Sequence, residues 1–402
     1  MRVLMINSVC GIRSTGRICT DLADILEKKG HEVKIAYGRD TVPEKYKKYV
    51  LKIGNKVSVY AHALKARIFD EAGFGSKSAT RKFIKKIKEY DPDIIHLHNL
   101  HGYYLHLGEF FKFLKEYNKP ILWSFYDCWA FTGHCAHFDF NACGQWKQGC
   151  TKCKFKQEYP TSLLSKSAKN YQRKKALFLN VPNLQIIVPS LWMQRMVRNS
   201  YMQKYPVHVF PNGIDINSFV PTKSDFRAKN DLEEKFVVLG VASFWTQMKG
   251  LDVFNRLAED LDEGEFQIVL VGKADKETLS PKILHISATN NIQELCALYT
   301  MANVFINPTL QETQGLTTVE AFACGTPAIV YHSGGVAECV DDTCGLVVER
   351  GDYNNLLEAI LCMQQGRVSF NRNNCICVAQ KYEVKRLYQQ FIKLYEDIIC
   401  LR

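Results

Sequence analysis

Two carboxylates, Glu312 and Glu320, stand with seven residues between them in the stretch NPTLQETQGLTTVEAFACGTPAIVYHSGGVAE, Asn307 to Glu338. A carboxylate accepts hydrogen bonds from hydroxyls, and its paired oxygens suit a diol such as a ribose. Glu312 falls in a polar, glycine-containing turn, and Glu320 in the first turns of the helix that follows. A helix start offers unpaired N–H groups and a partial positive charge, which suit a phosphate. Gly315 lets the backbone approach such a ligand with no side chain between, and the amides of Gly315, Leu316 and Thr317 are the donors in reach. The residues therefore describe a nucleotide-sugar pocket. Glutamates at this spacing also occur by chance on an ordinary βαβ unit. A third group, Lys249, opens a helix carrying Val253, Leu257 and Leu261. An ammonium there opposes the helix dipole, so it has another use: neutralising a diphosphate.

These groups need elements to position them. Apolar runs at Phe236–Ala242, Gln267–Val271, Ile283–Ile286, Val304–Asn307 and Ala328–Tyr331 read as strands. Thr317 or Thr318 is placed to cap the helix that Gly325-Thr326-Pro327 ends. The earlier half repeats the alternation, with strands at Val3–Asn7, Val33–Tyr37, Asp93–Leu97, Ile121–Phe125 and Leu184–Val188. Strands alternating with helices predict an α/β fold with parallel sheets, whose ligands bind beyond the strands' carboxyl ends. His98 and Asn99 stand at one such end and Tyr126-Asp127 at another. Ser14-Thr15-Gly16-Arg17 reads as a loop before a helix to Lys29, and a lone Gly16 is not a dinucleotide fingerprint. A metal held by His96, His98 and His101 fits less well than ordinary hydrogen-bonding histidines. His96 faces away from Leu97, and no acidic ligand stands nearby.

A chain of 402 residues suits two domains, and 47% hydrophobic with 23% charged residues is ordinary globular composition. No run of about eighteen apolar residues predicts a membrane span. MRVLMINSVC reads as an opening strand, so a cytoplasmic protein is expected. The net charge of +11 is concentrated between residues 39 and 88. Such a cluster suits an anionic membrane surface or nucleic acid, or it is the solvated face of helices such as RKFIKKIKEY, with Phe83, Ile84 and Ile87 inward. Pro211-Asn212-Gly213 breaks the chain near a hinge at 215. The expected division is an N-terminal domain over 1–214, a second domain over 215–380, and a helical tail over 381–402. Leu387, Phe391, Leu394, Tyr395 and Ile398 form the apolar face of that tail.

Five of the fifteen cysteines fall between Cys128 and Cys153, in an insertion spanning 128–160. Cys135, Cys143, Cys150 and Cys153 give C-x7-C-x6-C-x2-C, and four thiolates complete a closed tetrahedral zinc site. His134 or His137 could replace one thiolate. An iron–sulfur cluster and a set of reduced thiols are the other readings. A structural zinc would fold a loop expected to have little core of its own.

The Asn307–Glu338 stretch resembles the signature of the retaining GT-B glycosyltransferases of family 4, which includes sucrose synthases and bacterial mannosyltransferases. The resemblance runs along the chain. P-N-G-x-D-x-x-x-F occurs at Pro211–Phe219, and W-x-x-x-D-C-W-A-F-T-G-H-C, similar to polysaccharide-building members, at Trp123–Cys135. It implies two facing Rossmann-like domains, with the C-terminal helix crossing back to the first. It implies a sugar donor, UDP- or GDP-linked, bound mainly by the C-terminal domain. Lys249 and the helix amides would stabilise the departing phosphate, so no catalytic divalent metal is expected. Glu320 would hold the ribose, and Glu312 would orient the sugar. Tyr126 and Asp127 complete the implied catalytic set, Gly16, Arg17, Ser243 and Asn290 the donor contacts, and His98 and Asn99 the acceptor side. Two positions depart from the family: Tyr126 stands for its usual histidine, and Ser243 for its arginine. The implied acceptor is a glycan or lipid-linked saccharide in cell-surface polysaccharide synthesis, reached from the inner face of the plasma membrane, with no nucleic acid partner. A sugar-nucleotide epimerase and a non-catalytic, zinc-bearing RNA-binding protein are the rival readings.

Overall fold

The computed structural model describes residues 1–289 and 291–400. The chain divides into two compact units. The first runs from Met1 to Phe210 and includes the segment from Tyr388 onward; the second runs from Pro211 to Leu387.

The first unit holds β1 (Arg2–Asn7), β2 (Glu32–Tyr37), β3 (Val50–Lys52), β4 (Ile94–Leu97), β5 (Ile121–Ser124), β6 (Leu184–Val188) and β7 (Val207–Val209). They form a parallel sheet in the order β3-β2-β1-β4-β5-β6-β7. The second unit holds β8 (Phe236–Phe244), β9 (Phe266–Lys273), β10 (Leu284–Ile286), β11 (Val304–Asn307), β12 (Ala328–Tyr331) and β13 (Gly345–Val348). Its order is β10-β9-β8-β11-β12-β13, again parallel. Every residue of β4, β5, β11 and β12 is buried, as strands covered on both faces must be. The order reverses between β1 and β4 in the first sheet and between β8 and β11 in the second. Successive connections leave such a point on opposite faces, which opens a crevice at the strands' carboxyl ends.

Each unit has its own core. Leu4, Ile95, Phe111, Trp123 and Phe178 lie in the first, and Leu239, Val269, Phe305 and Val330 in the second. Helix Val384–Cys400 carries Tyr388, Phe391, Ile392 and Tyr395 as buried residues of the first unit. The Tyr395 hydroxyl lies 2.5 Å from His96 Nδ1. Among the described residues, no helix is long and apolar enough to cross a membrane.

Two local expectations are corrected. Helix Arg13–Lys28 begins before Gly16, so Gly16 and Arg17 are helical rather than part of a loop. The turn is made by Gly11, at φ +71°, whose amide bonds the Gly16 carbonyl at 3.0 Å. Gly16 instead allows close packing, since a Cβ there would lie 3.0 Å from Val9 Cγ2. The cysteine insertion, in turn, has a core of its own. Phe131, Phe138 and Trp146 are all buried, with ring centroids 4.8 to 6.3 Å apart.

Candidate functional site

The reversal point of the second sheet carries a pocket of about 270 Å³. The end of β8 contributes Ser243 and Trp245, the end of β11 Asn307 and Pro308, and the turns beyond them Lys249, Glu312 and Thr317. Lys249 Nζ lies 3.0 Å from Glu312 Oε2, each side chain about a quarter exposed. Lys249 closes a single turn, Gln247–Lys249, that precedes helix Leu251–Asp260. Gly250 joins them at φ +81°, where a Cβ would fall 2.6 Å from Pro308 Cγ. Only glycine permits both that dihedral and that approach. The Leu310 amide and the Thr309 hydroxyl both donate to the Met248 carbonyl, at 2.8 and 3.1 Å. The lysine turn and the glutamate loop are thus one hydrogen-bonded body.

The glutamate loop is held from two further sides. Gly334, at φ +58°, lies against the Glu312 backbone, where a Cβ would fall on the Glu312 carbonyl. The Gly335 amide donates to that carbonyl at 2.8 Å. Gln314, buried, accepts from the Asn212 amide at 2.8 Å and side chain at 3.0 Å, and donates to the Asn212 carbonyl at 3.0 Å. The Pro-Asn-Gly stretch therefore positions the loop as well as turning the chain. Its asparagine and the polar Gln314 were visible in the sequence, but nothing local in it pairs residues so far apart.

Helix Leu316–Ala323 starts at the pocket wall with Gly315 as its N-cap and no side-chain cap. The expected threonine cap is absent because Thr318 is used elsewhere: its hydroxyl accepts from Asn307 Nδ2 at 3.2 Å, tying the helix to the end of β11. Thr317 lines the pocket. Beyond the Gly315 cap, Leu316 and Thr317 carry the first amides of the helix, which have no partner within it. Glu320, one turn on, does not line it. Its Oε2 accepts from the Tyr299 hydroxyl at 2.9 Å. Burial, reinforced by that carboxylate, pushes the Tyr299 phenol far above its usual value and keeps it a donor. Tyr299 is a partner that sequence reasoning missed. Asn290 lies outside the described residues.

In the first unit, the reversal point brings together the other expected residues. The His98 amide bonds the Ile6 carbonyl at 2.9 Å, and Asn7 Oδ1 accepts from the Asn99 amide at 3.2 Å. His98 Nδ1 lies 2.9 Å from the Tyr126 hydroxyl, with the rings stacked within 7° of parallel. Burial lowers His98 to about 3, so the imidazole is neutral at physiological pH. Burial alone would push the Asp127 carboxyl up, but the charge and hydrogen bond of His101, 2.7 Å away, more than offset this and hold it low. Asp127 also accepts from the Trp129 amide at 2.9 Å, and His101 Nδ1 lies 3.0 Å from the Tyr159 hydroxyl. The three histidines hydrogen-bond separate partners, His96 taking Ser124 at 2.8 Å. Arg17 is exposed on its helix.

The zinc expectation is not supported. Cys135, Cys143, Cys150 and Cys153 do line one small cavity, of about 30 Å³. Yet among the described residues no three His, Cys, Asp or Glu side chains are disposed to hold a metal ion. Burial pushes the Cys135, Cys150 and Cys153 thiols up, which favours the protonated form over the thiolate a metal requires. His134 is committed to Asp70 at 2.6 Å.

Residues 15–218 match the family described as Glycosyltransferase Family 4, and residues 235–365 match Glycosyl transferases group 1. The chain is 24% identical to WcaC of Escherichia coli strain K12, named for glycosyl transfer in colanic acid biosynthesis, over 329 residues, 80% of this chain and 79% of that protein. Among solved structures, sucrose-phosphate synthase from Thermosynechococcus elongatus superposes with a TM-score of 0.72 at 16% identity, covering 100% of both chains. HepE from Anabaena in complex with UDP superposes with a TM-score of 0.68 at 16% identity, covering 99% of this chain and all of that one.

Proposed function

The chain belongs to glycosyltransferase family 4 and has the GT-B fold, and from that premise we propose that it moves a hexose, with retention of anomeric configuration, from a nucleotide-sugar donor to a glycan or lipid-linked saccharide in cell-surface polysaccharide synthesis. The observation that carries this reading is the 3.0 Å Lys249–Glu312 pair inside a pocket at a sheet reversal point, beside the start of helix Leu316–Ala323. A diphosphate arriving there finds an ammonium and the Leu316 and Thr317 amides. As it engages Lys249, Glu312 is released to orient the sugar and stabilise positive charge at its anomeric carbon. The acceptor hydroxyl attacks that carbon on the face the diphosphate leaves; the carbon–phosphate oxygen bond breaks, and the phosphate oxygen takes the acceptor's proton. Glu320, held by Tyr299, is the ribose ligand, and Ser243 stands beside the phosphates. In the first unit we assign Tyr126 and Asp127 to the sugar's surroundings and His98 and Asn99 to the acceptor, with exposed Arg17 at the donor phosphates and Gly16 packing the helix that carries it. The similarity to WcaC supports the synthesis context, and the UDP bound in the HepE complex supports a uridine donor.

The test is thermal shift with UDP-, GDP- and ADP-sugars on wild type, Lys249→Ala and Glu320→Ala, followed by turnover of the donor that binds. Removing a preorganised charge contact of this kind lowers kcat by ~10²–10³, the effect expected for Lys249→Ala. Glu320→Ala should lose the donor shift. A folded wild type that responds to no donor sinks the proposal, and an inverted product seen by NMR sinks its retaining part.

A further inference from the structure

Strand β8 ends on an aromatic ring that nothing covers. Phe244, its last residue, is 56% exposed, and it is the one exposed aromatic side chain among the described residues of the second unit. The next residue shows the contrast. Trp245 is buried, packs edge-on against Phe254 with ring centroids 5.1 Å apart, and donates from its indole to the Val271 carbonyl at 3.1 Å.

The backbone builds this exposure. β8 and β9 keep a regular register as far as Val241 opposite Val271, and then Phe244 stands opposite Lys273. From there β8 takes three steps where β9 takes two, which is a bulge of one extra residue. In an unbroken ladder Ser243 would hold the place opposite Lys273. Gly272 makes room for the bulge: it sits at φ +127°, and a Cβ there would fall 1.7 Å from the Ala242 carbonyl oxygen. Beyond the bulge the Trp245 amide donates to the Lys273 carbonyl at 2.7 Å, so the segment carrying Phe244 is held on both sides. Bulges next to ligand sites serve to re-aim a side chain.

The ring is aimed at the pocket of the second unit, which it lines together with Ser243, Lys249 and Glu312. A lone exposed apolar residue on an open surface needs no explanation, but aromatic walls with a few placed polar groups are how small-molecule pockets are made. A pyranose presents two kinds of surface, hydroxyls around its edge and C–H bonds on its faces. The C–H hydrogens carry slight positive charge and suit the negative face of an aromatic ring. Glu312 suits the first surface and Phe244 the second. Glu320, assigned to the ribose, is outside the lining of this pocket and bonds Tyr299, so the nucleoside is held away from the ring.

We propose that Phe244 is a specificity residue of the donor site, its ring stacking on the C–H face of the transferred hexose. The protein then selects its donor by the shape of that face as well as by hydroxyls. The proposal rests on the nucleotide-sugar reading of the pocket and adds a residue to it.

The test is calorimetric titration of wild type, Phe244→Ala and Phe244→Tyr with UDP-glucose, UDP-galactose and GDP-mannose, and with bare UDP and GDP. Phe244→Ala is expected to bind the preferred nucleotide-sugar about tenfold more weakly and the matching bare nucleotide within about twofold of wild type. Phe244→Tyr keeps the ring and should recover nucleotide-sugar binding to within about threefold. The melting temperature should stay at the wild-type value in both variants, because the ring is exposed. Equal affinity of wild type and Phe244→Ala for the nucleotide-sugar overturns the proposal and leaves the transferase reading standing. So does an equal loss for bare nucleotide, which would put the ring on the base, or a lowered melting temperature with binding intact, which would make it a packing group. A folded wild type that binds no nucleotide-sugar sinks the transferase reading, and this proposal with it.

Discussion

Lys249 and Glu312 neutralise each other at 3.0 Å in a pocket whose proposed ligand would separate them. A preformed pair costs little to keep in a partly solvated site, and a diphosphate competes for it with two charges. What makes the pair useful is how firmly both backbones are held, and Gly334 is the sharpest test of that. At φ +58° against the Glu312 carbonyl, alanine meets both backbone strain and a clash with main chain. Gly334→Ala should destabilise the second unit by about 2 kcal/mol or more and abolish donor binding. Urea unfolding and calorimetric titration check this; an alanine variant that binds donor normally removes the rigid-loop argument. Lys249 and Glu312, which meet in the pocket, were picked out in the sequence because charged groups beside glycines and helix starts announce themselves, whereas Glu320, picked out on the same grounds, lies outside the pocket lining and bonds Tyr299. Gln314, Asn212 and Tyr299 were not legible, since their roles come from partners distant in the chain.

At the scale of elements, ten of the thirteen strands were readable from apolar runs, whereas β3, β7 and β13, each of three or four residues at a sheet edge, were not. Helix starts were less readable. Thr318 and Gly16 follow capping and loop preferences in the sequence, but tertiary contacts take Thr318 to Asn307 and put Gly16 against Val9. The cysteine insertion shows the same limit. Its spacing suggested a metal, whereas the three aromatic rings that fill it are scattered in sequence and drew no attention. Beside them Lys174 is fully buried, its ammonium donating to the Trp129 and Thr132 carbonyls at 2.7 and 3.1 Å. Burial lowers its pKa from 10.5 to about 7. A folded pKa below the unfolded one means that the unfolded chain binds more protons between these values, so stability rises with pH across that window. Lys174→Met should flatten the rise, as measured by urea unfolding from pH 7 to 9. A wild type whose stability is level over that range contradicts the burial effect.

At the scale of the molecule, two cores and two reversal points make a chain that reads as one signature behave as two bodies. Length and Pro211-Asn212-Gly213 led to an expected break at 215, and the two compact units part between Phe210 and Pro211. The return of the residues after Tyr388 to the first unit came only with the resemblance, because an amphipathic helix does not name its partner. A ligand confined to the second unit should stabilise that unit by RT ln(1 + [L]/Kd), about 2.7 kcal/mol at a hundredfold excess over Kd. Scanning calorimetry should resolve two transitions, and donor should move one of them. A single transition that moves as a whole would show the units to be thermodynamically coupled.

The bonds between Asn212 and Gln314 span 102 residues. On a ribosome, Asn212 emerges with its polar groups unsatisfied by the partner they will finally hold, and that partner is delivered only after the whole β8–β11 region has been made. The Glu312 loop takes its final support only once both ends of that 102-residue span have been made.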